Sequence, residues 1–268
     1  VGPQLQTSAQ QLISEFGAQR VLSFFLVLAR ISPLFLLAPL FSSKLVPMRV
    51  RGICAIGLSI GLSPVVTAGH AALPTDVLGI GSLIAKELLI GAAFSYALAA
   101  TFAALAVAGS LLDTTIGFSY GGLVDPVNGN QSAVLSTAYS MIGLMVFIAI
   151  GGDAWVISGL ARTYEIVGLL DYPSLGHLVA GTGAAFVQIF ASAIEVAGPV
   201  LLSLILTDAA FGVITRVVPS LNVFQVGLPA KVVIGLVLIG ATMPFVAGWI
   251  GDQLQADVGA ALQTLRVA

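Results

Sequence analysis

The sequence predicts an all-α, membrane-type helical protein of about six long, kinked apolar helices. Two observations predict it. Of the 268 residues, 58% are hydrophobic and only 8% carry charge, whereas soluble domains carry roughly 25% charged residues. The mean hydropathy is +1.06, and the 22 Lys, Arg, Asp and Glu side chains cannot cover a water-facing surface. At roughly 20 residues per spanning helix, six apolar segments with short connections use the whole length.

The apolar runs cover residues 16–41, 52–66, 77–112, 134–152, 178–206 and 232–250. The first exceeds a signal-peptide core and has no small-residue cleavage site after it, so it is expected to stay in the chain. The third, as one straight helix, would be about 54 Å long against a hydrocarbon core of ~30 Å, and must protrude, bend or lie partly inside protein. Pro33, Pro39, Pro64, Pro199 and Pro244 interrupt or end runs. Each removes a backbone donor, and the freed carbonyls need protein or a polar cavity. Broken helices fit a path or a moving part, and equally kinks that only shape a bundle.

Charges within the runs are few. Arg30 and Glu195 fall near the middle of the first and fifth runs, where an unpaired charge in lipid costs at least ~2.5 kcal/mol, so both should face protein or water. Asp113, Glu87, Asp208 and Glu195 are all eligible acids for Arg30. Lys86 and Glu87 are sequence neighbours, pointing about 100° apart on a helix, so each is expected to find a partner on another segment. Lys44, Arg49 and Arg51 follow the first run, and Arg216 and Lys231 bracket the connection after the fifth. The positive-inside rule puts both connections at the cytoplasmic face, and six crossings place them on one side.

Several chemistries are excluded. Ten scattered cations and a net charge of -2 do not suit nucleic acid. One cysteine, Cys54, and two histidines, His70 and His177, build neither a disulfide framework nor a zinc cluster, so no cofactor or metal is expected. Cys54 is expected to be a packed small hydrophobe, and the histidines to be solvated or capping groups. Gly57-Leu58-Ser59-Ile60-Gly61 matches G-x-S-x-G but lies inside an apolar run without the strand–turn context. It reads better as a small-xxx-small contact face. Asn130-Gln131-Ser132 fits a glycosylation sequon by chance.

Two connections are informative. Residues 113–131 are acidic and glycine-rich yet carry Ile116, Phe118, Tyr120 and Leu123. That composition fits a pliable plug packed inward, and equally a surface loop with aromatics at the headgroup level. Residues 217–231 carry Pro219, Gly227 and Pro229 and are expected to be a defined turn. Beyond residue 250, Leu254, Val258, Leu262 and Leu265 recur at three to four residues, as in a final amphipathic helix.

Arg30-Ile31-Ser32-Pro33 with Ala38-Pro39, Val46-Pro47-Met48-Arg49-Val50-Arg51, Ile116-Gly117-Phe118-Ser119 with Val124-Asp125-Pro126, Arg216-Val217-Val218-Pro219-Ser220-Leu221-Asn222-Val223-Phe224 and Gly227-Leu228-Pro229-Ala230-Lys231 stand in order along the chain. Together they closely resemble the FliR/SctT family of type III secretion export-gate subunits. Val226-Gly227-Leu228-Pro229 looks more like the flagellar branch than the injectisome one. Ser220 replaces the family's usual Gln, and Gly151-Gly152-Asp153 replaces a more usual glycine–histidine pair.

The resemblance implies a non-enzymatic subunit of the bacterial inner membrane and flagellar basal body. It would assemble with FliP-like and FliQ-like subunits, beside FlhB-like switch and FlhA-like subunits, to pass unfolded protein substrates. Residues 1–177 would form a FliP-like part with a plug loop at 113–131, and residues 178–268 a FliQ-like helical hairpin. Gly117, Phe118, Tyr120, Gly121 and Gly122 would belong to the plug, and Asn222, Phe224 and Lys231 to a partner-docking turn. The competing class is a stand-alone secondary transporter or channel, which should show paired halves and substrate-coordinating polar groups; neither is evident.

Overall fold

The computed structural model describes residues 3–38, 41–42, 46–67, 73–74, 76–118, 133–218 and 223–265. These form seven α-helices and no strands: α1 (Pro3–Leu37), α2 (Met48–Thr67), α3 (Val77–Ile116), α4 (Val134–Ala149), α5 (Gly152–Ile166), α6 (Leu175–Val217) and α7 (Val223–Thr264). Among the described residues, four stretches are long and apolar enough to cross a membrane: Gln19–Leu37, Val77–Ile116, Leu175–Val217 and Gln225–Thr264. The pair α4–α5, bent by 75° at its break, makes a fifth if it is one span. The all-helical, membrane-type expectation therefore holds. Six simple crossings do not follow, and parity no longer places the two basic connections on one side.

The bend has a local cause. Gly151 has φ +68°, in the left-handed region that glycine enters at little cost, and the helix beginning at Gly152 leaves in a new direction. The fourth run is thus split, and the chain that follows it is helical from Gly152 through Ile166.

Prolines break less than expected. Pro33, Pro64, Pro199, Pro229 and Pro244 all lie inside continuous helices, because apolar surroundings offer no water to compete for the remaining i→i−4 bonds. Pro39 lies outside the described residues. Residues 223–231, expected as a turn, are the start of α7, and the amphipathic tail is that helix's end, with Leu254 and Leu265 buried.

Two compact units divide the chain. One comprises Val1–Ala99, Ala154–Thr182 and Val258–Ala268; the other Ala100–Asp153 and Gly183–Asp257. In the first, α1 packs on α2, and Leu26, Val27, Ile31 and Leu34 of α1 are fully buried. Ile90, Val167, Leu178 and Leu265 form a core cluster, with Ala93 and Ile166 against it. At Gly91, a Cβ would sit 2.0 Å from the carbonyl oxygen of Arg30, so only glycine lets α3 come this near α1.

In the second unit, α3 and α4 approach at Gly109, where a Cβ would lie 2.5 Å from Ser136 Cα. The Asp113 carboxylate accepts from the Leu135 N–H at 3.0 Å and the Ser136 N–H at 3.2 Å, satisfying donors that the start of α4 leaves open. Asp113 is therefore a buried cap on α3 and not part of the loop. Thr101 donates to Asp257, whose other oxygen accepts from Gln253 at 2.9 Å. Helices α6 and α7 meet through Lys231 and Asp208, 2.9 Å apart, and at Gly235, where a Cβ would meet Ile116 and, at 3.7 Å, Leu204.

The close-contact reading of Gly57 and Gly61 is corrected. A Cβ at either would meet nothing within 4 Å, so that face of α2 is open within the chain. Ser59 is buried and donates to the Ala55 carbonyl at 2.7 Å, which is back-bonding to its own helix. Cys54 is exposed rather than packed.

Candidate functional site

The described charges that the apolar runs carry gather mainly at one place in the first unit. Helix α1 places Arg30 fully out of solvent, and α3 places Glu87 fully buried and Lys86 nearly so. The guanidinium of Arg30 donates from Nε to Glu87 Oε2 and from Nη2 to Glu87 Oε1 at 3.0 Å, a two-point match of planar fork to carboxylate. Nη2 also donates to the Val167 carbonyl at 3.0 Å and Nη1 to Thr163 Oγ1 at 3.2 Å. Thr163 in turn donates to the Leu160 carbonyl at 2.6 Å. The Tyr164 ring lies 3.9 Å from Arg30 Cζ, close enough for a cation–π contact.

Lys86 completes the cluster. Its Nζ donates to the carbonyls of Gly168 at 3.1 Å, Leu169 at 2.7 Å and Asp171 at 3.0 Å, and lies 3.0 Å from Glu87 Oε1. The segment between α5 and α6 is thereby wrapped around one ammonium. The Asp171 carboxylate closes the turn by accepting from the Gly168 N–H at 3.2 Å.

Each charge does have a partner on another segment, as expected. Lys86 and Glu87 nevertheless also pair with each other, because the flexible lysine stem bends its head back across the 100° between them. Of the four acids eligible for Arg30, the structure selects Glu87. Thr163, Tyr164 and the carbonyls of 167–171 were not foreseen; backbone acceptors leave no mark in a sequence.

The arrangement is suited to holding helices together. Every ionised group is paired, and the Thr163 hydroxyl, which accepts from Arg30, donates to its own helix; the Tyr164 hydroxyl is buried and makes no hydrogen bond among the described residues. Among the described residues no group of three or more metal-ligating side chains occurs. His177 is exposed at the start of α6; His70 and the sequon at Asn130 lie outside the described residues.

The remaining candidate residues are placed unevenly. Gly117 ends α3, buried, with φ +105°, and its N–H bonds the Asp113 carbonyl at 3.1 Å. This is a glycine stop in a conformation L side chains avoid. Phe118 follows, half-buried. Tyr120, Gly121, Gly122 and Asn222, with Lys44, lie outside the described residues, and of Phe224 only its place in the first turn of α7 is described. Lys231 is held by Asp208. Glu195, expected to face protein or water, is exposed on α6.

Comparison with known proteins gives this helical arrangement its context. The model of a family described as bacterial export proteins, family 1, matches residues 21–256. The chain belongs to that family. Among its similar relatives is the flagellar biosynthetic protein FliR of Escherichia coli (strain K12), 27% identical over 248 residues covering 91% of this chain and 90% of the relative. FliR of Bacillus subtilis (strain 168) is 29% identical, over 81% of this chain and 84% of the relative. The surface presentation of antigens protein SpaR of Shigella flexneri is 26% identical, over 80% and 82%. As a member of bacterial export protein family 1, the chain is a component of protein export machinery. Its buried charges are read accordingly, as what holds long helices together in an apolar setting.

Proposed function

We propose that the chain is a core subunit of the flagellar type III protein export gate in the bacterial inner membrane. There it would assemble with FliP-like and FliQ-like subunits into the gated conduit for unfolded substrates. The observation that carries this reading is the family match across residues 21–256 together with FliR relatives over about nine-tenths of both chains. Wide apolar exposure supports it: Phe186, Phe190, Leu202, Leu206 and Phe245 are all about half exposed or more, on helices that partner subunits or lipid must cover. SpaR relatives favour an injectisome gate as the second reading.

In this reading residues 1–177 are the FliP-like part and residues 178–268 the FliQ-like hairpin, which the pairing of α6 with α7 at Asp208 and Lys231 supports. The role is structural, and energy comes from elsewhere in the machine, since no G-x-x-x-x-G-K-[ST] phosphate loop occurs. The test is extraction from native membranes in mild detergent, followed by mass measurement of the intact complex and crosslinking from Asn222. The expected result is a hetero-oligomer with FliP-like and FliQ-like chains and an Asn222 adduct to the FlhB-like switch subunit. A monomer or homo-oligomer overturns the gate reading; a gate whose Asn222 never captures the switch subunit overturns the docking turn.

The segment from Gly117 to Gly122 is the plug in this scheme. Phe118 and Tyr120 would exclude water and ions from a narrow pore, while the glycines let the segment yield. Deleting residues 117–122 is expected to raise ion conductance of the assembled gate, read in planar bilayers, with the complex intact. Unchanged conductance removes the plug assignment.

A further inference from the structure

Helix α6 carries an unanswered acceptor at its centre. Glu195 lies near the midpoint of this 43-residue helix, and its side chain is exposed. Around it, Val187, Ile194, Leu202 and Leu206 are each more than half exposed at spacings that put them along one broad face. Ala191 and Pro199, one turn to either side, are exposed as well.

Pro199 adds a second acceptor. A proline has no N–H, so the carbonyl of Glu195, four residues earlier, lacks its helical donor. One turn of α6 thus presents a carboxylate and a backbone carbonyl that can accept, and nothing that can donate. The ion pairs among the described residues do not include Glu195. In its own unit Lys231 is already engaged by Asp208, and Arg216 sits in the last turn of the same helix, about 30 Å along its axis at 1.5 Å per residue.

Lipid tails answer neither acceptor and make an ionised carboxylate costly. Charge complementarity therefore selects the occupant. We propose that this face of α6 seats a transmembrane helix of another gate subunit, carrying an arginine or lysine at the depth of Glu195. The N–H groups of that side chain bond the carboxylate and the freed carbonyl together, while Val187, Ile194, Leu202 and Leu206 pack against its apolar flank. The inference rests on the proposed gate function and names a contact within it.

The test uses the complex extracted from native membranes. A photoreactive amino acid at Ile194 or Leu202, with Glu195 left intact, is expected to crosslink to a helix of a different subunit that has Arg or Lys within a turn of the adduct. Glu195→Lys is then expected to cut recovery of the complex about tenfold, and Glu substituted for that partner's basic residue to restore it. Adducts only to lipid, to a second copy of this chain, or to a segment without a basic residue overturn the seat, as does unchanged recovery with Glu195→Lys. In those cases a complex still recovered leaves the gate reading standing; a chain that comes out without partners overturns both.

Discussion

Glu87→Ala is expected to destabilise the chain by about 3–5 kcal/mol, because it leaves a buried cation without its counter-charge. Arg30 would keep Thr163 and the Val167 carbonyl but lose both carboxylate contacts, and Lys86 would lose the anion 3.0 Å from its Nζ. Two buried positive charges would then share one dry pocket. The measurement is thermal unfolding of the detergent-extracted complex, with the amount of folded chain in membranes as a second readout.

Replacing both partners separates charge from shape. Arg30→Met combined with Glu87→Leu should recover part of the loss, since an apolar pair of similar volume has no charge to desolvate. Arg30→Lys should recover little, because an ammonium cannot reproduce the fork that meets Glu87 at two points. An unfolding midpoint unchanged by Glu87→Ala would show that the cluster does not hold α1, α3 and the 167–171 segment together.

Gly91→Ala is expected to cost about 3 kcal/mol, at the upper end for inserting one methyl group into a packed interior. The added carbon would lie 2.0 Å from the Arg30 carbonyl oxygen and 2.9 Å from its carbonyl carbon. Those are backbone atoms of a helix, so no side chain can swing aside and α1 must move away from α3. That displacement would also pull Arg30 from Glu87, so the double variant with Glu87→Ala should fall short of the sum of the two losses. Gly81→Ala, on the same helix, is the matched control: a Cβ there meets nothing within 4 Å, and alanine favours helix over glycine by roughly 1 kcal/mol. Equal effects at positions 91 and 81 would contradict the close approach.

Much of the fold was legible because lipid-like composition constrains the backbone so tightly. A chain this apolar must satisfy its peptide groups internally, which leaves helices, and six runs could be marked from hydropathy alone. Helix ends were less legible. The fourth run broke at Gly151, where the Gly151-Gly152 pair is a turn signal that the continuous hydropathy of the run outweighed. The segment 217–231 was read as a turn from two prolines and a glycine, yet α7 already begins at Val223. Asp113 looked like the first residue of an acidic loop and is the buried cap of α4.

The candidate residues divide in the same way. Arg30, Lys86 and Glu87 stood out as rare charges in apolar runs, and all three are buried together. Glycine spacing misled at Gly57 and Gly61, which face open space, while the decisive close approaches fall at Gly91 and Gly109. A glycine's packing role depends on what lies opposite, and that belongs to another helix.

Composition and hydropathy thus settled the solvent, the helical class and which charges had to be accounted for, since each follows from the cost of exposing polar groups to hydrocarbon. Pairing was another matter. That Arg30 meets Glu87, that Lys86 gathers three carbonyls of a distant turn and that Glu195 is left facing outward depend on contacts between groups far apart along the chain. Such contacts are fixed by side-chain reach and helix packing in three dimensions, which a linear pattern does not encode.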